Sequence, residues 1–123
     1  MKKKLLAILL SIVMIVGLLP VTALAEDPTV YDIWVDGVQV TSENKDNLCN
    51  GTVSYDPTTH TLSLNNATLD NDTMSDYGIK TIIPNTLKIR LTGTNSITRT
   101  CPGGGMGIAP NSSNSVEITG DGT

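Results

Sequence analysis

Phenylalanine is absent from this chain, and tryptophan, histidine and cysteine supply one, one and two residues. Each shortage removes a class of chemistry. A single histidine, His60, leaves no convincing Ser-His-Asp set, and two cysteines without a CxxC spacing argue against a thiolate metal centre. Basic residues are also few. Lys and Arg total 8 against 12 Asp and Glu, and an acidic, thinly aromatic surface lacks the basic stripe that nucleic acid requires. Helix signals are scarce too, with no long apolar stripe of period 3.6 after residue 25. The glycines Gly103–Gly105 open no helix, so no phosphate loop is implied.

What the chain does have begins with a leader. "MKKKLLAILLSIVMIVGLLPVTALAEDP" sets three lysines before an apolar run from Leu5 to Leu19, followed by Pro20 and the small-x-small triplet Ala23-Leu24-Ala25. That is the layout of a secretory signal peptide, a short helix with cleavage predicted between Ala25 and Glu26. The run of about 15 residues falls short of the roughly 20 needed to span a bilayer. The chain is therefore expected outside the cell, in solution or at the cell surface, without membrane attachment. Cleavage leaves five basic residues against twelve acidic ones, a net charge of −7. Cys49 and Cys101 are then either a disulfide, as export allows, or two buried thiols.

Residues 26–123 read as strands and turns. "YDIWVDGVQV" alternates, placing Tyr31, Ile33 and Val35 on one face and Asp32 and Trp34 on the other. Asp36-Gly37 supplies a two-residue hairpin turn. "GTVSYDPTTHTLSL" predicts a second hairpin, with Val53 and Tyr55 facing the same side as Leu62 and Leu64. Residues 26–50 are expected to form an N-terminal cap and 51–123 a set of repeated coils.

The repeats carry that expectation. Leu62/Leu64, Leu87/Ile89 and Val116/Ile118 each open an apolar-x-apolar strand, giving spacings of 25 and then 29 residues. Gly78-Ile79 returns as Gly107-Ile108, and Gly93 as Gly122, at the same offset of 29. Pro84, Pro102 and Pro110 would break any helix between the strands. A parallel β-solenoid of about three coils, all-β and capped by a hairpin, is the predicted architecture. Asn65, Asn66 and Asn95 fall near strand ends, where stacked amides would bond between coils. A small antiparallel sandwich is the alternative. The last repeat stops inside its strand and turn, which reads as a truncated product or the opening of a longer solenoid.

The same segments, from Tyr31 to Thr123, resemble a bacterial family of secreted carbohydrate-binding-domain proteins. The likeness lies in "WVDGVQVT", in "GTVSYDPTTHTLSLNNATL" and in the "GIKT…LKIRLTGTNSI" and "GIAP…VEITGDGT" repeats. The resemblance implies a right-handed parallel β-helix that binds plant cell-wall polysaccharide such as pectin or cellulose, with calcium bound to the fold.

Candidate sites follow from residue chemistry. In "LDNDTMSD", Asp70, Asp72 and Asp76 are either calcium ligands or a solvated acidic turn. Trp34 and Tyr77 are the candidate sugar contacts, Trp34 facing solvent or capping the core, and Tyr77 beside the acidic cluster. Lys88 and Arg90 point outward together on one predicted strand, where a lyase would need a base. Asp32 and Asp36 share a face of the first hairpin, where they are expected to keep an edge soluble. No catalytic set emerges. The expected function is non-catalytic polysaccharide binding. The alternatives are a structural stalk, the first piece of a larger surface protein, or a fragment of a pectin-lyase-like enzyme.

Overall fold

The computed structural model describes residues 24–70, 77–99 and 105–123. These are all-β, with ten strands and no helix among them. The leader through Ala23 lies outside the described residues. Among the described residues, no helix is long and apolar enough to cross a membrane.

Alternation builds the first hairpin as expected. β1 (Val30–Val35) buries Ile33 and Val35 completely and turns Asp32 outward. Asp36 and Gly37 both take positive φ, 51° and 83°. That is the conformation a two-residue turn requires, and it sets Val35 opposite Val38 of β2 (Val38–Thr41). β3 (Val53–Asp56) and β4 (Thr61–Asn65) form the second hairpin, with Tyr55 opposite Leu62. His60 belongs to the turn at φ 53°, and its ring is approached from two sides. Nδ1 lies 3.3 Å from the Tyr55 hydroxyl and Nε2 lies 3.1 Å from the Asn85 amide nitrogen.

The remaining strands are β5 (Thr68–Leu69), β6 (Tyr77–Thr81), β7 (Leu87–Thr92), β8 (Ser96–Ile97), β9 (Met106–Pro110) and β10 (Val116–Gly120). They join three sheets, in the orders β2-β1-β6-β9, β10-β7-β4-β3 and β5-β8. The two larger sheets are mixed. Pairs β1/β2, β1/β6 and β3/β4 are antiparallel, whereas β4/β7, β7/β10, β6/β9 and β5/β8 are parallel.

The parallel registers correct one spacing. Leu87 pairs with Val116 and Ile79 with Ile108, at the expected offset of 29. Leu62, however, pairs with Ile89 and Leu64 with Leu91. The first offset is therefore 27, not the 25 read from the matching of Leu62 with Leu87. Side chains alternate with a period of two, so a slip of two residues keeps the same face inward and leaves no mark in the apolar pattern.

The amides at the corners accompany this register. Asn66 Oδ1 accepts the Thr94 N–H (3.1 Å) and Asn95 Oδ1 accepts the Ala67 N–H (2.9 Å), while Asn95 Nδ2 donates to the Thr123 carbonyl (3.1 Å). Across coils these amides bond to backbone groups, and the amide-to-amide bond runs between chain neighbours, from Asn66 Nδ2 to Asn65 Oδ1 (2.9 Å). Gly93, at φ 68°, sits against Asn66; a Cβ there would lie 2.2 Å from Asn66 Oδ1.

The core runs between the two larger sheets. Leu62, Leu64, Ile79, Leu87 and Ile89 are each no more than 2% exposed, and Leu69 of β5 is fully buried. Burying each such side chain contributes about 2 kcal/mol. The column thins toward β9 and β10, where Ile118 is 56% exposed and Met106 59%.

One contact ties the first hairpin to the second half of the chain. Arg99 Nη2 lies 2.8 Å from Asp36 Oδ1, with side chains only 3% and 15% exposed. Asp36 is therefore not a solubilising edge charge; Asp32 is the exposed member of that pair. The Asp36 N–H donates to the Gly78 carbonyl at 2.7 Å. Gly78 is packed so tightly that a Cβ would lie 2.3 Å from Ile97 Cγ2 and 2.6 Å from the Gly107 carbonyl oxygen.

Two stability measurements check this packing. Asp36→Asn keeps a residue that accepts positive φ but leaves a buried guanidinium without its counter-charge. It is expected to lower the unfolding free energy by about 3 kcal/mol in urea titration. Gly78→Ala should cost about 2 kcal/mol by overpacking, because the obstructing oxygen belongs to backbone and cannot rotate away.

Candidate functional site

The two aromatic residues nominated from sequence meet at a lysine. Trp34 points outward from β1, and the antiparallel register with β6 sets it opposite Lys80. Lys80 Nζ lies 5.1 Å from the Trp34 ring centroid and 5.7 Å from that of Tyr77. An ammonium at such distances is attracted by the negative ring faces, by about 0.5–1 kcal/mol for each exposed pair. Trp34, Tyr77 and Lys80 are all half-buried, so rings and ammonium remain within reach of a ligand. Gln39 lies opposite Trp34 on the other side, and Met106 opposite Tyr77 on β9. Lys80 carried no signal of its own in the sequence; only the β1–β6 register brings it between rings 43 positions apart.

The acidic cluster falls largely outside the described residues. Asp70 is exposed at the end of β5, and Asp72 and Asp76 lie outside the described residues. Among the described residues, no three His, Cys, Asp or Glu side chains stand close enough to hold a metal ion. Cys49 is a half-buried free thiol, and Cys101 lies outside the described residues. Burial pushes the Cys49 thiol up from its ordinary value, and the nearby Asp36 carboxylate adds to the effect.

A second concave surface lies on the other large sheet. Alternation turns Ser54, Ser63, Arg90 and Thr119 to the outer face in one row across β3, β4, β7 and β10. Asp56, Thr61, Lys88 and Glu117 form the next row. Between these rows and the Lys45-Asp46 loop runs a cleft of about 480 Å³. It adjoins a second of about 270 Å³, which also involves Asn65 and Thr92. Ser54, Ser63 and Arg90 line both. The sequence pairs Lys88 with Arg90 on one outward face, as the structure does, but the hydroxyl rows were missed. Their signal was present in the polar positions of "VSYD" and "TLSLN", which alternate with buried ones.

Charge in this cleft is locally ordered. Lys45 Nζ lies 2.6 Å from Asp46, and that bond raises the lysine above its ordinary value. The Asp56 carboxylate accepts the Thr58 N–H (2.8 Å) and the Thr59 hydroxyl (3.0 Å). These bonds hold Asp56 below its ordinary value of 3.8. Tyr55, buried beneath the cleft, is pushed up by desolvation.

No protein family, curated protein or solved structure matches the chain.

The Asp56 shift has a definite sign. A carboxyl depressed in the folded state contributes stability at pH values above its unfolded pKa, and that contribution is lost as pH falls through the folded value. Asp56→Asn keeps an acceptor for Thr58 but removes the titration. Its unfolding midpoint is therefore expected to decline less steeply than that of the parent between pH 5 and about pH 2. Parallel acid limbs for the two proteins would contradict the assignment.

Proposed function

We propose that this chain is a secreted, non-catalytic carbohydrate-binding protein for plant cell-wall-type polysaccharide, such as pectin or cellulose. Its frame in this reading is a right-handed parallel β-helix of about three coils. The four parallel strand pairs, each offset by 27 to 29 residues, support that frame, with the antiparallel hairpins as its N-terminal cap. Residues 1–25 serve as the export signal, and the protein works outside the cell.

The observation that carries the binding reading is the convergence of Trp34 and Tyr77 on Lys80. A pyranose presents apolar C–H faces edged by hydroxyls. Aromatic rings cover the faces, and an ammonium with three donors meets the hydroxyl or carboxyl oxygens at the edge. The protein needs only to hold these groups in place, and cross-strand packing on a sheet does so at low entropic cost. Calcium would be held by Asp70, Asp72 and Asp76, and stacking at Trp34 does not pass through it.

Trp34 is the sole tryptophan, so its emission reports the site directly. Titration with cello- or pectic oligosaccharides is expected to shift that emission saturably, with calcium or with a chelator. Tyr77→Ala should weaken the dissociation constant about tenfold, equal to about 1.4 kcal/mol, and Trp34→Ala at least as much by calorimetry. Absence of an emission change, together with no retention on any such polysaccharide, would remove the reading.

A further inference from the structure

We infer that the hydroxyl-lined cleft on the β10-β7-β4-β3 sheet is a second saccharide surface, so that one protein holds two glycan strands and bridges them. This rests on the carbohydrate-binding reading of the Trp34 site but uses different residues on a different sheet. The two surfaces share no strand, since Trp34, Tyr77 and Lys80 belong to β1 and β6.

The cleft has the chemistry of a polyol site without stacking. Its floor offers the hydroxyls of Ser54, Thr61 and Ser63, which both donate and accept. At the seam of the two concavities stands Arg90. Lys45 is paired with Asp46, Arg99 with Asp36, and Lys80 with two rings. Arg90 is exposed and, among the described residues, has no hydrogen-bond or ion-pair partner. Its guanidinium presents five donors in a fixed plane, next to hydroxyls that complete a network with the vicinal oxygens of a sugar chain. The concavity follows the strand direction and spans β4 from Thr61 to Asn65, roughly 13 Å at the rise of an extended strand. A linear polyhydroxyl chain fits that shape, whereas an apolar ligand finds no complementary floor.

Two sites on separate sheets give the protein a function that one site lacks. Each chain becomes a crosslink between glycan strands, and its hold on a surface carrying many strands rises through effective concentration rather than through new contacts.

The test uses the full secreted chain and a soluble linear polysaccharide together with its short oligomers. Calorimetry with oligomers is expected to give two sites per chain, and mixing with the long polymer to raise turbidity. Arg90→Ala, combined with Ser63→Ala, should reduce the stoichiometry from two to one and abolish the turbidity. The Trp34 emission titration identifies the site that remains, and an unchanged melting temperature shows that the fold persists. A parent stoichiometry of one with a normal Trp34 response would overturn the bridging proposal while leaving the carbohydrate reading intact. A silent Trp34 and no heat would overturn both. Neutral and anionic oligomers run in parallel reveal whether Arg90 reads hydroxyls or an acidic substituent.

Discussion

Leu62, Ile89 and Ile118 lie side by side on three parallel strands, and everything else in the molecule is arranged around keeping them so. A parallel ladder gives each strand few local contacts; its partners arrive 27 to 29 residues away. The cost is loop closure, which grows slowly with length. The return is an apolar column in which the aliphatic side chains of β4 and β7 are covered by their neighbours, while Ile118 at the edge stays 56% exposed. Because apolar side chains fill most of the inner face, the outer face is free to be polar. Both candidate surfaces stand on that outer face, as consequences of the same alternation.

Stacked strands also need their corners fixed. Asn66 and Asn95 do this by satisfying backbone N–H groups of the adjoining strand, groups that would otherwise be left unpaired where the chain bends. Gly93 has no side chain to obstruct the approach of Asn66, and Gly78 none to obstruct Ile97. The buried Asp36–Arg99 pair acts over a longer reach, since it joins residues 63 positions apart. Burying two charges is expensive, and removing either partner would cost more than the pair itself contributes. Its effect is to fix where the first hairpin lies relative to the strands that follow, and so to fix the position of Trp34 on the adjoining strand.

Much of this was legible in advance. Alternation in "YDIWVDGVQV" placed Ile33 and Val35 on one face and Trp34 on the other, and Asp36-Gly37 marked the turn. The repeat of Gly78-Ile79 at Gly107-Ile108 gave a true register. Where reading failed, the missing information was not local. A slip between offsets 25 and 27 leaves every side chain on the same face, so the apolar pattern is blind to it. The partners of His60 carried no local sign, because Tyr55 and Asn85 reach it from two directions. Asp36 looked like an edge charge because its partner is far along the chain.

The candidate surfaces divide in the same way. The order of residues alone determined which side chains face outward, because a strand's period of two is a property of the backbone and needs no partner. It therefore named Lys88 and Arg90 as outward groups, left Trp34 between facing solvent and capping the core, and set the all-β character through its turns and prolines. Which outward groups become neighbours was decided only by strand pairing. Lys80 joins Trp34 and Tyr77, and Ser54, Ser63 and Arg90 form one row, because backbone hydrogen bonds between distant segments fix the registers. A side chain's direction is encoded within a few residues, but its company depends on the whole fold.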